Sequence, residues 1–234
     1  MSDALTELDL ERLRAIDTPT LCNALEEIDP AWRLAGFTTR PFVCHDPDLA
    51  PIVGLARTAT IRAGVPPQGG PAEQRAARLD YYAYVADGPL PRAIVIRDED
   101  PEPGLGAFWG EVNTHVHRGL GCQGVVTNGS MRDWSACAHG FQLLAGSVGP
   151  SHAWAHVTSF GLPVEVHGLV VAHDDLIHAD RHGAVIVPRT ALPRIAEVVD
   201  RQARREKVIL DAAKRLDFSI DTLRRAMTDA ADIH

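Results

Sequence analysis

The segment Gly124-Val125-Val126-Thr127-Asn128-Gly129-Ser130 constrains the fold of this chain more than any other. A short apolar run broken at once by Asn-Gly reads as a buried strand that leaves its sheet through a tight turn, since glycine takes a sharp reversal without steric cost. Residues 108–118 before it and 131–138 after it carry helical patterning, so the strand is expected between two helices. A buried strand flanked by helices belongs to a βαβ-type arrangement, in which crossover elements cover the faces of a sheet.

The rest of the chain extends that layout. Apolar residues at Leu8, Leu10, Leu13 and Ile16 predict a first helix over 8–16. Asp17-Thr18-Pro19-Thr20 then supplies a fresh start, with Thr18 as cap and Pro19 in the first turn, for a helix over 20–28. Residues 29–51 are proline-rich and aperiodic, and read as a long connection. A loosely alternating strand over 52–61, a Pro/Gly loop over 64–70, a helix over 72–85 with Ala76, Leu79 and Tyr82 on one face, and a buried strand over 93–96 follow. Short strands are expected over 141–145, 163–171, 175–180 and 184–187. Leu192, Ile195, Val199 and Ala203 then repeat at helical spacing in a charged C-terminal helix. Strands alternate with helices early and run together late, so the expected class is α/β with mixed sheets and terminal helices packed outside. The 234 residues suit one domain over 1–234, with N-terminal helices within 1–30 and a helical extension over 190–234.

Composition narrows the function. Apolar residues at 45% suffice for a sizeable core. The formal charge of −8 disfavours nucleic acid and anionic lipid as partners, while leaving room for a local basic pocket around a small anion. No signal peptide and no membrane span are expected, and a cytoplasmic location follows. Cys22, Cys44, Cys122 and Cys137 lack paired spacing and are expected as reduced thiols, none a nucleophile.

Chemistry is concentrated in Thr127-Asn128-Gly129-Ser130-Met131-Arg132-Asp133. The turn lies beyond the carboxyl end of a strand, where α/β sheets place ligands. A helix starting there would offer free N–H groups to an anion. Arg132 adds a planar donor fork for a carboxylate or enolate oxygen, and Asp133 suits a hard cation that keeps several waters. Spacing alone also allows a plainer arrangement, with Asp133 charging a first helical turn and Arg132 in a surface ion pair.

Two stretches carry a resemblance. Trp109-Gly110-Glu111-Val112-Asn113, then Gly121-Cys122-Gln123-Gly124, the apolar strand and Asn128-Gly129-Ser130-Met131-Arg132-Asp133, resemble the pattern Gly-Glu (or Gly-Asp), helix, Gly-x-x-Gly, strand, Asp-Gly-x-x-Arg-Asp. That pattern marks the RraA-like family of metal-dependent pyruvate aldolases and oxaloacetate decarboxylases, which also contains the regulator of ribonuclease activity A. Gly168 to Pro188, with Asp175, Ala179-Asp180 and Gly183, resembles the family's later strand, Gly-Asp turn, Ala-Asp and strand ending in Pro. The match spans residues 15–200.

The resemblance implies a swivelling β/β/α domain with mixed sheets and flanking N- and C-terminal helices, assembled as a homotrimer or homohexamer with its pocket near subunit interfaces. It also implies a lyase on small 2-keto acids, releasing pyruvate by retro-aldol cleavage of a 4-hydroxy-4-methyl-2-oxoglutarate-type substrate or by decarboxylating oxaloacetate. Arg132 would bind the keto acid and stabilise the enolate. Asp133 would hold Mg²⁺ or Mn²⁺, largely through waters. Gly110 and the amides of Val112 and Asn113 would receive the carboxylate, and Glu111 would lie beside the metal waters. Physical chemistry agrees: a cation and a guanidinium help most where charge develops. Two alternatives follow from the same resemblance: a non-catalytic regulator that binds a ribonuclease, and an enzyme of the same fold acting on a sugar acid.

The chain departs from the family pattern in three places. Asn128 stands where many members have Asp, and either closes the turn as Asp does or weakens charge near the metal. His178, Asp180 and His182 form either a metal motif or a strand face with a loop. His152 and His156 flank Trp154, as metal ligands on a helix or, better suited to the absence of a neighbouring acid, as a pocket wall or packed loop. His115 and His117 are expected on different helix sides without a role.

Overall fold

A single long strand organises the molecule, whose computed structural model describes residues 5–234. The chain opens with helices α1 (Glu7–Arg14) and α2 (Thr18–Ile28), then a 3-10 turn at Pro30–Arg33. After β1 (Val43–Cys44) comes the long strand, β2 (Ile52–Arg62). The middle runs α3 (Pro71–Ala86), β3 (Arg92–Asp98), β4 (Ala107–Trp109), α4 (Glu111–Gly119), β5 (Cys122–Thr127), β6 (Ser130–Met131), β7 (Gln142–Ala145) and β8 (Ser147–Val148). Then follow β9 (His156–Phe160), β10 (Val164–Val166), β11 (Leu169–Val171), β12 (Leu176–Asp180), β13 (Gly183–Ile186), α5 (Leu192–Ala213) and α6 (Ile220–Ala231).

The main sheet is mixed, in the order β1-β7-β5-β3-β2-β12-β13. Its centre, from β2 through β3 and β5 to β7, is parallel, and its flanks are antiparallel. β2 is long enough to serve two partners on one edge: its first half pairs with β12 and its second half with β9. Every residue of β2 but Arg62 is buried, because both faces are covered. One face packs Tyr81 and Val85 of α3 with Trp109 and Phe141. Opposite, the β10–β11 hairpin contributes Val164, Val166, Leu169 and Val171. At the end, Leu10, Leu13, Leu21 and Leu25 of α1 and α2 close over Val53, Leu55 and Ile195. Each such leucine contributes about 1.5–3 kcal/mol by leaving water.

Several local expectations differ from the structure; the strand expected over 163–171 is a hairpin of β10 and β11 that reverses at the positive-φ His167 and Gly168. Asp17, one residue earlier than expected, caps α2 by accepting from Thr20 N, since Thr18 is drawn into another contact. α3 buries Tyr81 and Val85 and leaves Leu79 60% exposed, so aromatic volume rather than aliphatic spacing sets its inner face. Phe108 and Trp109 belong to a strand, and α4 starts only after Gly110. No helix follows Met131. Ser130–Met131 is held in a parallel ladder between β4 and β8, and Asp133 adopts a left-handed backbone (φ 56°) that ends it, leaving one 3-10 turn at Trp134–Ala136. The unexpected strand β9 covers the second half of β2.

His178 and Asp180 are a structural clasp between β12 and the α1–α2 corner. His178 is fully buried; its Nε2 lies 3.0 Å from Leu13 O and 3.1 Å from Ile16 O, and its Nδ1 lies 3.1 Å from Thr18 Oγ1. Carbonyls only accept, so Nε2 donates and Nδ1 accepts from the Thr18 hydroxyl. Asp180 accepts from Thr18 N at 2.9 Å and from His182 N at 2.8 Å. These ring nitrogens are therefore occupied, and among the described residues no group of three or more His, Cys, Asp and Glu is arranged to hold a metal.

Candidate active site

The small sheet β4-β6-β8 is wholly parallel, so its three strands deliver Gly110, Arg132 and Gly149 to the same end. Arg132 N donates to Trp109 O at 2.8 Å, which locks the Arg132–Asp133 dipeptide beside the start of α4. Asp133 then turns back: its Oδ2 accepts from Glu111 N at 3.3 Å and lies 3.6 Å from Arg132 Nε. The helix facing the dipeptide is thus α4 and not a following helix. Glu111, Val112 and Asn113 make up its first turn, whose N–H groups lack intrahelical partners and carry the positive end of the helix dipole.

Gly110 is required here by close approach. A Cβ on it would stand 2.5 Å from Asp133 Oδ2 and 3.2 Å from Arg132 Cγ. Gly110→Ala is therefore expected to displace both side chains with little change in melting temperature, read from a thermal melt, and to cut any turnover at this corner at least about tenfold, read from steady-state rates.

Further ties set the same corner, and residue spacing did not reveal them. The buried Thr114 hydroxyl donates to Glu111 O at 2.9 Å and accepts from Ala138 N at 2.9 Å, joining the first turn of α4 to the loop after Asp133. The Cys137 thiol donates to Asp133 O at 3.4 Å. Burial raises the Cys137 thiol above its ordinary value, with the Asp133 and Glu111 carboxylates adding to the effect. Asn113 spends its side chain on scaffold contacts, accepting from Tyr82 Oη at 2.8 Å and donating to Phe108 O. The sequence shows only a threonine three residues after Glu111; its burial, which makes these ties, is set by the fold.

Asp133 and Glu111 are both solvent-exposed, and Arg132 is half-buried. Among the described residues the Arg132 guanidinium has no carboxylate partner but Asp133. This donor set, the exposed Asp133 carboxylate beside an unsaturated guanidinium with the exposed Glu111 on the facing helix turn, fits a hard cation that keeps most of its water and does not fit a closed nitrogen–sulfur cage.

Asn128 lies apart from the dipeptide. Its Oδ1 accepts from Asp98 N at 2.8 Å and its Nδ2 donates to Asp98 O at 3.0 Å, pairing the ends of β5 and β3. The amide supplies both a donor and an acceptor, which a carboxylate cannot. Asn128→Asp is expected to cost roughly 1–3 kcal/mol, read from the urea midpoint, because Asp98 O loses its donor. Of the remaining histidines, His115 touches the corner through the backbone, its Nδ1 lying 2.8 Å from Glu111 O. His115 is exposed and His117 fully buried, on different sides of α4. All four cysteines are free, and burial pushes Cys22 up to about 11 and Cys122 up to about 12, which suits none of them to nucleophilic work. His152, Trp154 and His156 form the wall of a separate cleft, together with the 64–70 loop.

Comparison with known proteins gives the same frame. The RraA-like family, described as Aldolase/RraA, matches over residues 18–186. No curated protein matches the chain. Among solved structures, an uncharacterized protein from Pseudomonas syringae pv. tomato is 19% identical, covers 98% of this chain and 97% of its own, and superposes with a TM-score of 0.71. A structure described as novel cellulases from microbes of the gut ecosystem is 15% identical, with 88% and 89% covered and a TM-score of 0.71. Streptomyces coelicolor RraAS2, described as an unusual member of the RNase ES inhibitor RraA protein family, is 19% identical, with 92% and 100% covered and a TM-score of 0.63. At such identities these likenesses establish the fold, and their differing descriptions show how little a fold says about chemistry.

Proposed function

This chain belongs to the RraA-like (Aldolase/RraA) family, and from that premise we propose that it is a divalent-metal-dependent carbon–carbon lyase that releases pyruvate from a small 2-keto acid. The observation that carries the reading is the Arg132–Asp133 dipeptide, held at the end of β6 against the first turn of α4, with a guanidinium whose one carboxylate partner among the described residues is Asp133.

In this reading the N–H groups of Val112 and Asn113 hold the substrate carboxylate, as a helix N-terminus favours an anion. Arg132 donates to the keto oxygen and gains strength as negative charge builds there in the enolate. Retro-aldol cleavage breaks the bond between C3 and C4 of the substrate. The electron pair moves into the enolate, and the C4 hydroxyl proton passes to Glu111 directly or through a water. Oxaloacetate loses CO₂ to the same enolate, so one site serves both substrates. Asp133, with Glu111 beside it, would hold Mg²⁺ or Mn²⁺ mainly through waters, and the ion would supply positive charge to the enolate oxygen.

The corner lies open on the protomer surface, flanked by Val112 at 72% exposure and the exposed Trp134. Apolar side chains around an open site fit completion by a second copy, so a homotrimer or homohexamer is part of the proposal. Among the described residues no helix is long and apolar enough to cross a membrane. A purely protein-binding role, as the S. coelicolor neighbour's description suggests for that protein, gains no specific support from the unsaturated Arg132.

The test is pyruvate release from oxaloacetate and from 4-hydroxy-4-methyl-2-oxoglutarate, with Mg²⁺, with Mn²⁺ and with a chelator. Release above the metal-only blank that the chelator abolishes is expected. Chelator-resistant release, or none above the blank, overturns the reading.

A further inference from the structure

Asp133 opens the 3-10 turn at Trp134–Ala136 with a left-handed backbone, a conformation that a non-glycine residue keeps only where its surroundings hold it. From α4 the hold is the Glu111 N–H and the Thr114 hydroxyl, which ties down Ala138. From the main sheet it is His45, directly after β1. Its Nε2 lies 2.7 Å from Trp134 O, the carbonyl of the residue that follows Asp133. A carbonyl only accepts, so Nε2 donates. Among the described residues no other hydrogen bond joins this turn to the main sheet.

His45 works from a firm base. Its own N donates to Leu143 O at 2.9 Å, and Asp46 N donates at 3.2 Å to Oε1 of the buried Gln142, so two bonds to β7 fix the backbone beneath the ring. The imidazole also packs on the Trp134 indole, with ring centroids 5.2 Å apart and planes inclined by 40°. Its Nδ1 is buried and has no partner, so the one polar contact of the ring is the bond to Trp134. A ring present only to fill space would carry no unpaired buried nitrogen, since an apolar side chain avoids that cost.

We infer that His45 is a positioning residue for Asp133: by fixing the peptide that follows it, His45 keeps the turn left-handed and the carboxylate aimed at the place of the cation. The inference rests on the metal reading of the Arg132–Asp133 corner. His45 itself touches neither cation nor substrate. Losing its donor leaves the charge of Asp133 in place and changes only its aim, and misaimed groups bind and react more weakly than their charge allows.

The test labels the full chain with 5-fluorotryptophan at its four tryptophans and follows the Trp134 fluorine signal, assigned by its loss in Trp134→Phe, as Mn²⁺ is added. A paramagnetic ion at Asp133 broadens the signal of the adjacent Trp134, which gives a binding midpoint without any turnover. In His45→Ala that midpoint is expected to rise at least about fivefold, the worth of one neutral hydrogen bond. In His45→Gln, whose Nε2 restores a donor, it is expected to return to within about twofold of the natural chain, with the Trp32 and Trp154 signals unmoved in both variants. An unchanged midpoint in His45→Ala, or a His45→Gln no better than His45→Ala, overturns the inference. Displaced Trp32 and Trp154 signals in both variants would mean that the ring serves the whole fold and not this turn, and overturn it as well. No broadening of Trp134 in the natural chain overturns the metal reading and this inference with it. Broadening that obeys His45, beside an assay that finds no pyruvate, removes the lyase alone.

Discussion

On the lyase reading, Arg132→Ala is expected to lower pyruvate release from oxaloacetate by about a hundred- to a thousandfold, to the rate of the metal ion alone, while leaving the melting temperature nearly unchanged. The rate loss follows from removing a donor aimed at developing charge. The retained stability follows from burial and partners: the side chain is half-exposed, and its one ion pair, to Asp133 at 3.6 Å, is of the solvent-facing kind that contributes little. Its backbone contributes the ladder bond to Trp109, and alanine keeps that. Arg132→Lys retains charge without the planar fork and is expected to recover only part of the rate. Asp133→Asn sharpens the same point. Asparagine tolerates the left-handed backbone, and its carbonyl oxygen can still accept from Glu111 N, so the corner persists. What disappears is the charge for the cation, and the Mg²⁺ concentration for half-maximal rate should rise at least about tenfold. Substantial release by Arg132→Ala, or an unchanged Mg²⁺ requirement in Asp133→Asn, moves the chemistry elsewhere on the chain.

The parts of this site that were legible in the sequence are those written in local chemistry. Asn128-Gly129 marked the end of a buried strand, and β5 ends there. The Gly110-Glu111 and Arg132-Asp133 dipeptides were each singled out, and the fold brings them within a hydrogen bond of one another. Illegible were the features decided by neighbours distant in sequence. Met131 to Ala138 has helical spacing, yet the ladder to Trp109 and Val148 claims its first residues before a helix can nucleate. Phe108 and Trp109 pattern with α4, but Trp109 is buried against Phe141 and His117 and pairs with Met131, which draws both into a strand. β2 lacks the alternation of a half-buried strand because both its faces are covered, a fact no window of its own residues records. His178 and Asp180 resembled ligands because a strand places alternate residues on one face. Their partners, Thr18, Leu13 and Ile16, lie some 160 positions away.

Buried histidine makes the fold sensitive to mild acid, and His117 dominates the effect. It sits on α4 beneath the candidate site, fully enclosed, with Nδ1 2.7 Å from Asn113 O and Nε2 2.9 Å from the Tyr81 hydroxyl. Nδ1 donates to the carbonyl, so Nε2 accepts from Tyr81, and protonating Nε2 would remove that acceptor. Burial holds the ring down to about 4, from an ordinary value of 6.5, against a smaller upward pull from the Asn113 carbonyl. The unfolded chain therefore takes up a proton near pH 6.5 that the folded chain refuses until near pH 4. Stability from this residue is fully present above pH 6.5 and drains as pH falls between those values. The difference corresponds to about 3.5 kcal/mol at most, at roughly 1.4 kcal/mol for each pH unit. Burial depresses His178 in the same direction, although hydrogen bonds to Leu13 and Ile16 oppose it, so its contribution adds. Urea midpoints at pH 7.5, 6, 5 and 4.5 should fall steadily in the natural chain. In His117→Gln, whose amide keeps a donor and an acceptor but does not titrate, the fall should be shallower by up to that slope, even if the variant starts less stable. Carboxylates such as Asp180 contribute equally to both proteins, so the difference between the two curves isolates the histidine. Parallel curves would mean that His117 is charged inside the fold, and the hydrogen bond from Tyr81 would then have to be reassigned.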